Sequence, residues 1–404
     1  MTRESRHALV IGAGVAGPAT ALFLKKIGIT STVYEPMPPT HGVGGGLVLA
    51  PNGMNVLAEL GLADEVKERG SLVLENRFYT EAGHRIARLS NGGARYGQPA
   101  VALMRDELHR LLLEELAARG ILVRFGKRLA KVERNDGTKI IARFSDETTA
   151  EGELLIGADG VESRVRKAVF REAPAPSFTG VVGMGGVTAG AAVPRLSAED
   201  KQSLTFTFGA RGFFGYCGAR GGDVMWWSQR RRERPFRPAE LEDRSREAIH
   251  EELRGTYGGY HAPIGALIEN TEAPVKMNVF DVETLPRWRH ERVVLIGDAA
   301  HAVSPTSGHG ASLALEDAMD LAKQLRDDAG DHRRAFEAYE RDRRARVARI
   351  VADGRRRGAT KAKVSRIQAQ LRNVAMWLGL NLFGERSQDW VYRYRVDWNA
   401  GAAR

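Results

Sequence analysis

Read for its rhythm of apolar and polar positions, the chain begins on a strand, a turn and a helix. Ala8 to Ile11 is a short, wholly apolar run, the pattern of a parallel strand buried on both faces. Gly12-x-Gly14-x-x-Gly17 follows at once, and Leu22 to Lys25 continues as helix. A second apolar stretch, Ile29 to Tyr34, ends in Glu35. Further on, Met54, Leu57, Leu60 and Leu62 mark a helix, and Leu72 to Leu89 alternates around Glu81-Ala82-Gly83 as a hairpin. Arg105 opens an amphipathic helix that ends at Gly120. Ile121 to Phe125 is a strand, and Ala130 to Phe144 reads as two more, turning at Asn135-Asp136-Gly137. Leu154 to Gly157 runs as a strand into the turn Ala158-Asp159-Gly160.

Between residues 175 and 275 the alternation of strands and helices stops. Short glycine- and aromatic-rich pieces take over, the mark of a mainly antiparallel second domain. Val293 to Ile296 returns to a buried strand, and helices are expected from Gly310 to Leu325 and from Ala335 to about Arg366. The tail closes on Trp377 to Phe383 and on Trp390 to Trp398. The expected division is a discontinuous nucleotide domain (1–70, 98–174 and 276–334), a substrate domain (71–97 and 175–275) and a C-terminal helical region (335–404).

The glycine turn carries the first chemistry. Strand, glycines, helix and acid stand in the register of a dinucleotide fold. Gly12 makes the tight turn, Gly14 admits a pyrophosphate, and Gly17 lets helix and strand pack closely. The helix N-terminus offers N–H groups to the phosphates, and Glu35, roughly 20 residues on, suits ribose hydroxyls. The glycines at 42 and 44 to 46 follow no strand, so they suit close approach to a flat ligand instead.

Composition narrows the class. With no run of about 18 apolar residues, no membrane span is expected. The first strand begins so early that no signal peptide is expected, which points to the cytoplasm. The single Cys217 leaves no disulfide framework and no Cys-rich metal site. A net charge of +10 concentrates in Arg230 to Arg237 and Arg341 to Arg366, without any nucleic-acid motif. The expected role of the second cluster is a domain-covering helix with a solvated basic face. Attraction of an anionic substrate, reductant or surface is the alternative.

Three segments line up along the chain: Gly12-x-Gly14-x-x-Gly17, then Asp159-Gly160-Val161-Glu162-Ser163-Arg164-Val165-Arg166, then Gly297-Asp298-Ala299-Ala300-His301 with Pro305 and Gly308-His309-Gly310. Together they resemble the fingerprints of the class A flavin-dependent monooxygenases, the family of p-hydroxybenzoate hydroxylase. That resemblance implies a Rossmann-type α/β FAD domain, noncovalent FAD, NADPH or NADH as reductant, and O2. It assigns Gly12, Gly14, Gly17 and Glu35 to the ADP half, and Arg105 to the phosphate or ribityl region. Asp159 would serve FAD and the nicotinamide donor, Asp298 the ribityl chain, and Pro305 the isoalloxazine edge. Taken alone, Asp298 reads as a helix N-cap, Ser163 likewise, and His301 as a packed side chain. Where the family commonly has Gln, this chain has His309.

The implied reaction inserts one oxygen atom from O2 into an aromatic or polyketide-like small molecule through a flavin C4a-hydroperoxide. An apolar pocket protects such a species from water. Phe206, Phe208, Phe213, Phe214, Tyr216, Trp226 and Trp227 are candidate lining, of which strand geometry lets only alternate ones face a ligand. His309 and His41 are candidate catalytic bases for a phenolic proton. Baeyer–Villiger or epoxidising chemistry on the same scaffold is the alternative. A halogenase is disfavoured because no W-x-W-x-I-P segment occurs. The reading from another class is a non-enzymatic nucleotide-binding protein whose basic helix holds nucleic acid or an acidic partner. Neither metal nor nucleic acid is expected, and the pattern carries no signal of oligomeric state.

Overall fold

The computed structural model describes residues 6–38, 45–91, 93–135, 139–242, 245–283, 285–303, 307–328, 331–360 and 365–400. His7–Ile11 lies inside a six-stranded sheet, parallel to Thr30–Glu35 on one side and to Leu154–Gly157 on the other. Leu122–Phe125 and Val293–Leu295 extend it in parallel, and Arg289–His290 closes one edge antiparallel. Strands buried on both faces need cover on both. Helices Ala16–Lys26, Arg105–Ala118 and Gly310–Asp327 form one cover, since Ala16–Lys26 packs on the other two. The opposite face meets an antiparallel three-stranded sheet formed by Leu129–Asn135, Ile140–Phe144 and Thr149–Gly152, where Phe144 stacks on Tyr34 at 4.7 Å.

A seven-stranded sheet forms the second layer system. Its order is Val275–Asp281, Ser177–Thr188, Val224–Arg231, Phe213–Gly218, Ser203–Phe208, Glu75–Thr80 and Arg85–Ser90. All neighbours are antiparallel except Ser203–Phe208 beside Glu75–Thr80. The early hairpin therefore joins strands more than a hundred residues away. Val275–Asp281 runs through the boundary expected at residue 276, because it pairs with Ser177–Thr188 along that length. A small sheet of Gly46–Leu49, Ala100–Met104 and Ser71–Val73 stands between the two systems.

The C-terminal region departs from the single charged helix expected up to Arg366. One helix spans His332–Thr360, and a second, Arg366–Tyr392, starts where the first was expected to stop. Ser365 caps it, accepting from the Gln368 backbone N–H while the Gln368 side chain accepts from the Ser365 N–H. That reciprocal Ser-x-x-Gln box was a start signal present in the sequence.

Candidate functional site

The glycine loop separates into positions the protein itself demands and one it does not. Gly12 has φ +106°, and a Cβ there would fall 2.4 Å from the Ala158 carbonyl oxygen. A Cβ on Gly17 would meet the Gly12 carbonyl oxygen at 1.9 Å. Both are fixed by close packing of loop, strand and helix. Around Gly14 nothing lies within 4 Å of such a Cβ, which leaves the space a pyrophosphate would take. Glu35 ends the neighbouring strand, where its carboxylate accepts from Ala13 N at 2.8 Å and Met37 N at 3.0 Å. The acid thus organises the loop and keeps lone pairs at the rim where ribose hydroxyls would come.

A cleft of about 560 Å³ opens beside this loop, lined by Ile11, Pro36, Leu129, Asp159, Arg164 and Lys167 among others. Asp159 accepts from the Ser163 hydroxyl and from the backbone N–H groups of Arg164 (2.7 Å) and Val165 (3.0 Å). Burial pushes its carboxyl up, and those donors oppose the shift. Ser163 is the N-cap of helix Arg164–Val169, accepting from Arg166 N. The buried Arg166 then reaches across, donating to the Ala299 carbonyl at 2.9 Å and to the Val161 carbonyl. It clips the second sequence segment to the third.

In that third segment the N-cap of the short helix Asp298–His301 is Gly297, with no side-chain cap, so Asp298 is not the cap it resembled in isolation. Its half-buried carboxyl is pushed up by desolvation, opposed by the nearby charges of Arg105 and His301. Among the described residues no hydrogen bond or ion pair engages it. A desolvated carboxylate without a protein donor fits a group that accepts bonds from bound hydroxyls. Arg105 is exposed at the head of its helix, its backbone N–H donating to Gly45 O at 3.1 Å. Gly308, at φ +70°, has nothing within 4 Å of a Cβ, whereas a Cβ on Gly310 would lie in ordinary contact with Val303 Cγ2 at 3.4 Å and Asp298 Oδ1 at 3.9 Å. Without side chains of their own, these two glycines at the start of helix Gly310–Asp327 would let a flat ring come close to the backbone N–H groups. His309 sits between them, buried, with its ring edge-on to Tyr392 at 6.0 Å. His41 and Pro305 lie outside the described residues, as do Gly42 and Gly44.

A buried ionic cluster that sequence reasoning missed holds this segment in place. Asp317 accepts from Gly297 N at 2.9 Å, from His301 Nε2 at 2.5 Å and from Arg343 Nε at 2.7 Å. Its carboxyl is held down at about 2 by His301 and Arg343, against desolvation. His301, packed on Trp288 at 5.1 Å, is the structural side chain its isolated reading suggested. Glu316 takes Arg343 Nη1 at 2.7 Å and Arg346 Nη2 at 2.7 Å. Arg346 also donates to the carbonyls of Trp390 and Val391. Two arginines of the basic helix therefore point inward, correcting the expectation that its charge is a solvated face. The available signal was three carboxylates, Glu316, Asp317 and Asp320, within the mostly apolar first part of this helix, Gly310 to Ala322.

The aromatic set divides by strand parity. Phe206, Phe208 and Phe213 share one face of the large sheet with Trp227; Phe206 lies 5.8 Å from Phe213 and 6.3 Å from Trp227. That face meets Val48, Ala100 and Ala102 of the small sheet. Phe214, Tyr216 and Trp226 are on the other face, in the core under helices Arg246–Tyr257 and Ile264–Glu269. Phe214 stacks on Trp226 at 5.2 Å, and these three are corrected from pocket lining to structural core.

Comparison with known proteins agrees with this geometry. The model of the FAD binding domain family matches residues 6–353. The 6-hydroxynicotinate 3-monooxygenase of Pseudomonas fluorescens is 30% identical over 86% of this chain and 90% of its own. The 3-amino-4-hydroxybenzoate 2-monooxygenase of Streptomyces cremeus is 33% identical over 86% of this chain and 85% of its own. Among solved structures, Klebsiella pneumoniae HpxO complexed with FAD and uric acid superposes with TM-score 0.82 at 25% identity, covering 95% of this chain and 96% of that one. The open space at Gly14 and Gly308 and the carboxyl of Asp298, unengaged among the described residues, are what an FAD site requires. The chain belongs to the FAD binding domain family, as an NAD(P)H-dependent flavin monooxygenase.

Proposed function

We propose that the chain hydroxylates a small aromatic molecule, taking one oxygen atom from O2. The observation that carries this reading is the apolar face of Phe206, Phe208, Phe213 and Trp227, turned toward the layer that also presents Gly46. The Pseudomonas and Streptomyces relatives are named for hydroxylated aromatic rings, which supports a ring of that kind here. FAD, when bound, supplies hydride acceptance from the nicotinamide and activation of O2. The chain's own residues do the rest. Gly12, Gly14 and Gly17 with the following helix hold the phosphates, while Glu35 and Asp298 accept from sugar and ribityl hydroxyls. Arg105 offsets phosphate charge, and Asp159 with Arg166 fixes the wall between them. Phe206, Phe213 and Trp227 exclude water from the reacting ring. His309 is buried and edge-on to Tyr392, so a role in taking a phenolic proton would require its ring to turn toward the substrate.

Among the described residues no second dinucleotide fold stands beside the first, which supports a reductant that docks transiently over the cleft. Among the described residues no helix is long and apolar enough to cross a membrane. Inward use of Arg343 and Arg346 supports the basic helix as a cover for the FAD layer in place of a nucleic-acid surface.

Screening phenols for stimulated NAD(P)H oxidation tests the reading. Slow turnover should quicken with the right ring, and failure of every phenolic or polyketide ring to stimulate it would contradict the proposal. Trp227→Ala should raise KM or uncouple NAD(P)H use from product, with little change in melting temperature. Trp226→Ala should instead cost about 3–5 kcal/mol of stability, the usual scale for emptying a core aromatic.

Asp298→Ala gives a separate test of the cofactor assignment. With no hydrogen-bond or ion-pair partner among the described residues to lose, the apoprotein should melt where the wild type does, while flavin occupancy falls. An apoprotein that loses its fold would show that Asp298 is structural.

A further inference from the structure

Helix Arg366–Tyr392 has a packed face and a bare one. Ala369, Asn373, Met376, Leu380, Gly384 and Gln388 recur every three or four residues on the inward side. A Cβ on Gly384 would touch Leu89, and Gln388 accepts from Asn76 at 2.9 Å, so this side lies on the edge hairpin of the large sheet. Ile367, Leu371, Val374, Leu378 and Leu382 recur in steps of four, three, four and four on the outward side. Those five are 48–70% exposed. Among the described residues nine large apolar side chains are exposed, and seven of them, with Trp377 and Phe383, are on this one helix.

Such a concentration is not ordinary surface. Each of these side chains presents on the order of 100 Å², so the seven approach the roughly 800 Å² per partner of a standard interface. The largest apolar patch of a typical monomer is about 300–600 Å².

We propose that this outward stripe is the contact by which two copies of the chain pair, helix against helix and antiparallel. The spacing of Ile367, Leu371, Val374 and Leu378 is that of a two-stranded seam. An antiparallel arrangement centred beside Val374 sets Ile367 opposite Leu382 and Leu371 opposite Leu378 of the second copy. It also brings the exposed Arg366 to the end of the other helix that carries Phe383 and Glu385. A parallel arrangement would stack Arg366 on Arg366 and Glu385 on Glu385. The contact uses the same residues on both copies, so it closes at two and leaves no stripe free. A lipid surface is the rival occupant, and the match of the stripe to itself favours the second copy.

Size-exclusion chromatography with light scattering on the full-length, FAD-loaded protein tests this. The wild type should run as a dimer at micromolar concentration. L371E/L378E, which alters only outward side chains, should run as a monomer with flavin content and melting temperature unchanged. Its dimer dissociation constant should rise by at least about a hundredfold, the effect of roughly 3 kcal/mol. A wild type that stays monomeric through the micromolar range, or a variant that stays dimeric, overturns the proposal. A monomeric wild type that pellets with phosphatidylserine vesicles, and loses this with L371E/L378E, overturns it in favour of lipid.

Discussion

A Gly14→Val chain should fold normally and purify without yellow colour. No described atom lies within 4 Å of a Cβ at that position, so a side chain begins there without a clash. It would project instead into the space a pyrophosphate needs, against the first N–H groups of helix Ala16–Lys26. The loss should reach at least about a hundredfold in flavin affinity, since steric exclusion at the phosphates removes several charge-assisted hydrogen bonds together. Gly17→Ala is the informative contrast. Its Cβ would sit 1.9 Å from the Gly12 carbonyl oxygen, and backbone cannot yield as a flexible side chain can. That variant should lower the melting temperature of the apoprotein itself. Flavin absorbance per chain and apoprotein melting separate the two. A Gly14→Val protein with full flavin content would remove the loop from the cofactor site.

The second large effect is expected at Arg343. Its guanidinium is fully buried between Glu316 and Asp317. Exposed pairs such as Lys139–Glu151 are screened by solvent and contribute little. Arg343→Ala leaves two buried carboxylates short of a partner, an effect on the scale of about 3–5 kcal/mol. The same cluster predicts an acid limit. The Asp317 carboxyl is held near 2 in the fold, below its ordinary 3.8. A depressed folded value means the stabilisation is complete above about 4 and is lost as pH falls from there toward 2. Asp317→Asn should flatten that part of the pH–stability curve. Because Asp317 also accepts from Gly297 N, the variant should loosen the Asp298 turn and weaken flavin retention at neutral pH. Unchanged acid sensitivity in Asp317→Asn would contradict this account of the cluster.

The parts of the fold that were legible beforehand are those set by short-range chemistry. The order apolar run, glycines, helix and acid is local, and it placed His7–Ile11, Ala16–Lys26 and Glu35 where they stand. The hairpin at Glu75–Thr80 and Arg85–Ser90 was likewise visible from alternation around a turn. What stayed hidden depends on partners far along the chain. Period two shows that Phe213 and Phe214 face opposite ways, but which face meets the cofactor layer depends on Ala100 and Ala102. Arg343 and Arg346 read as solvated because their acids lie on the preceding helix, 26 to 30 residues back. The break before Arg366 was readable, since Ser365 and Gln368 form a capping box, but the surrounding arginines suggested one continuous charged helix.

Oxygen labelling tests the central claim most directly. The purified, flavin-loaded protein is given NAD(P)H, an aromatic that stimulates its oxidation, and isotopically heavy O2, and the product is weighed by mass spectrometry. One heavy oxygen atom per product molecule is the expected result, with one NAD(P)H consumed for each. Product that carries oxygen only from water, or NAD(P)H consumption that yields peroxide and leaves every stimulating aromatic unaltered, would contradict it.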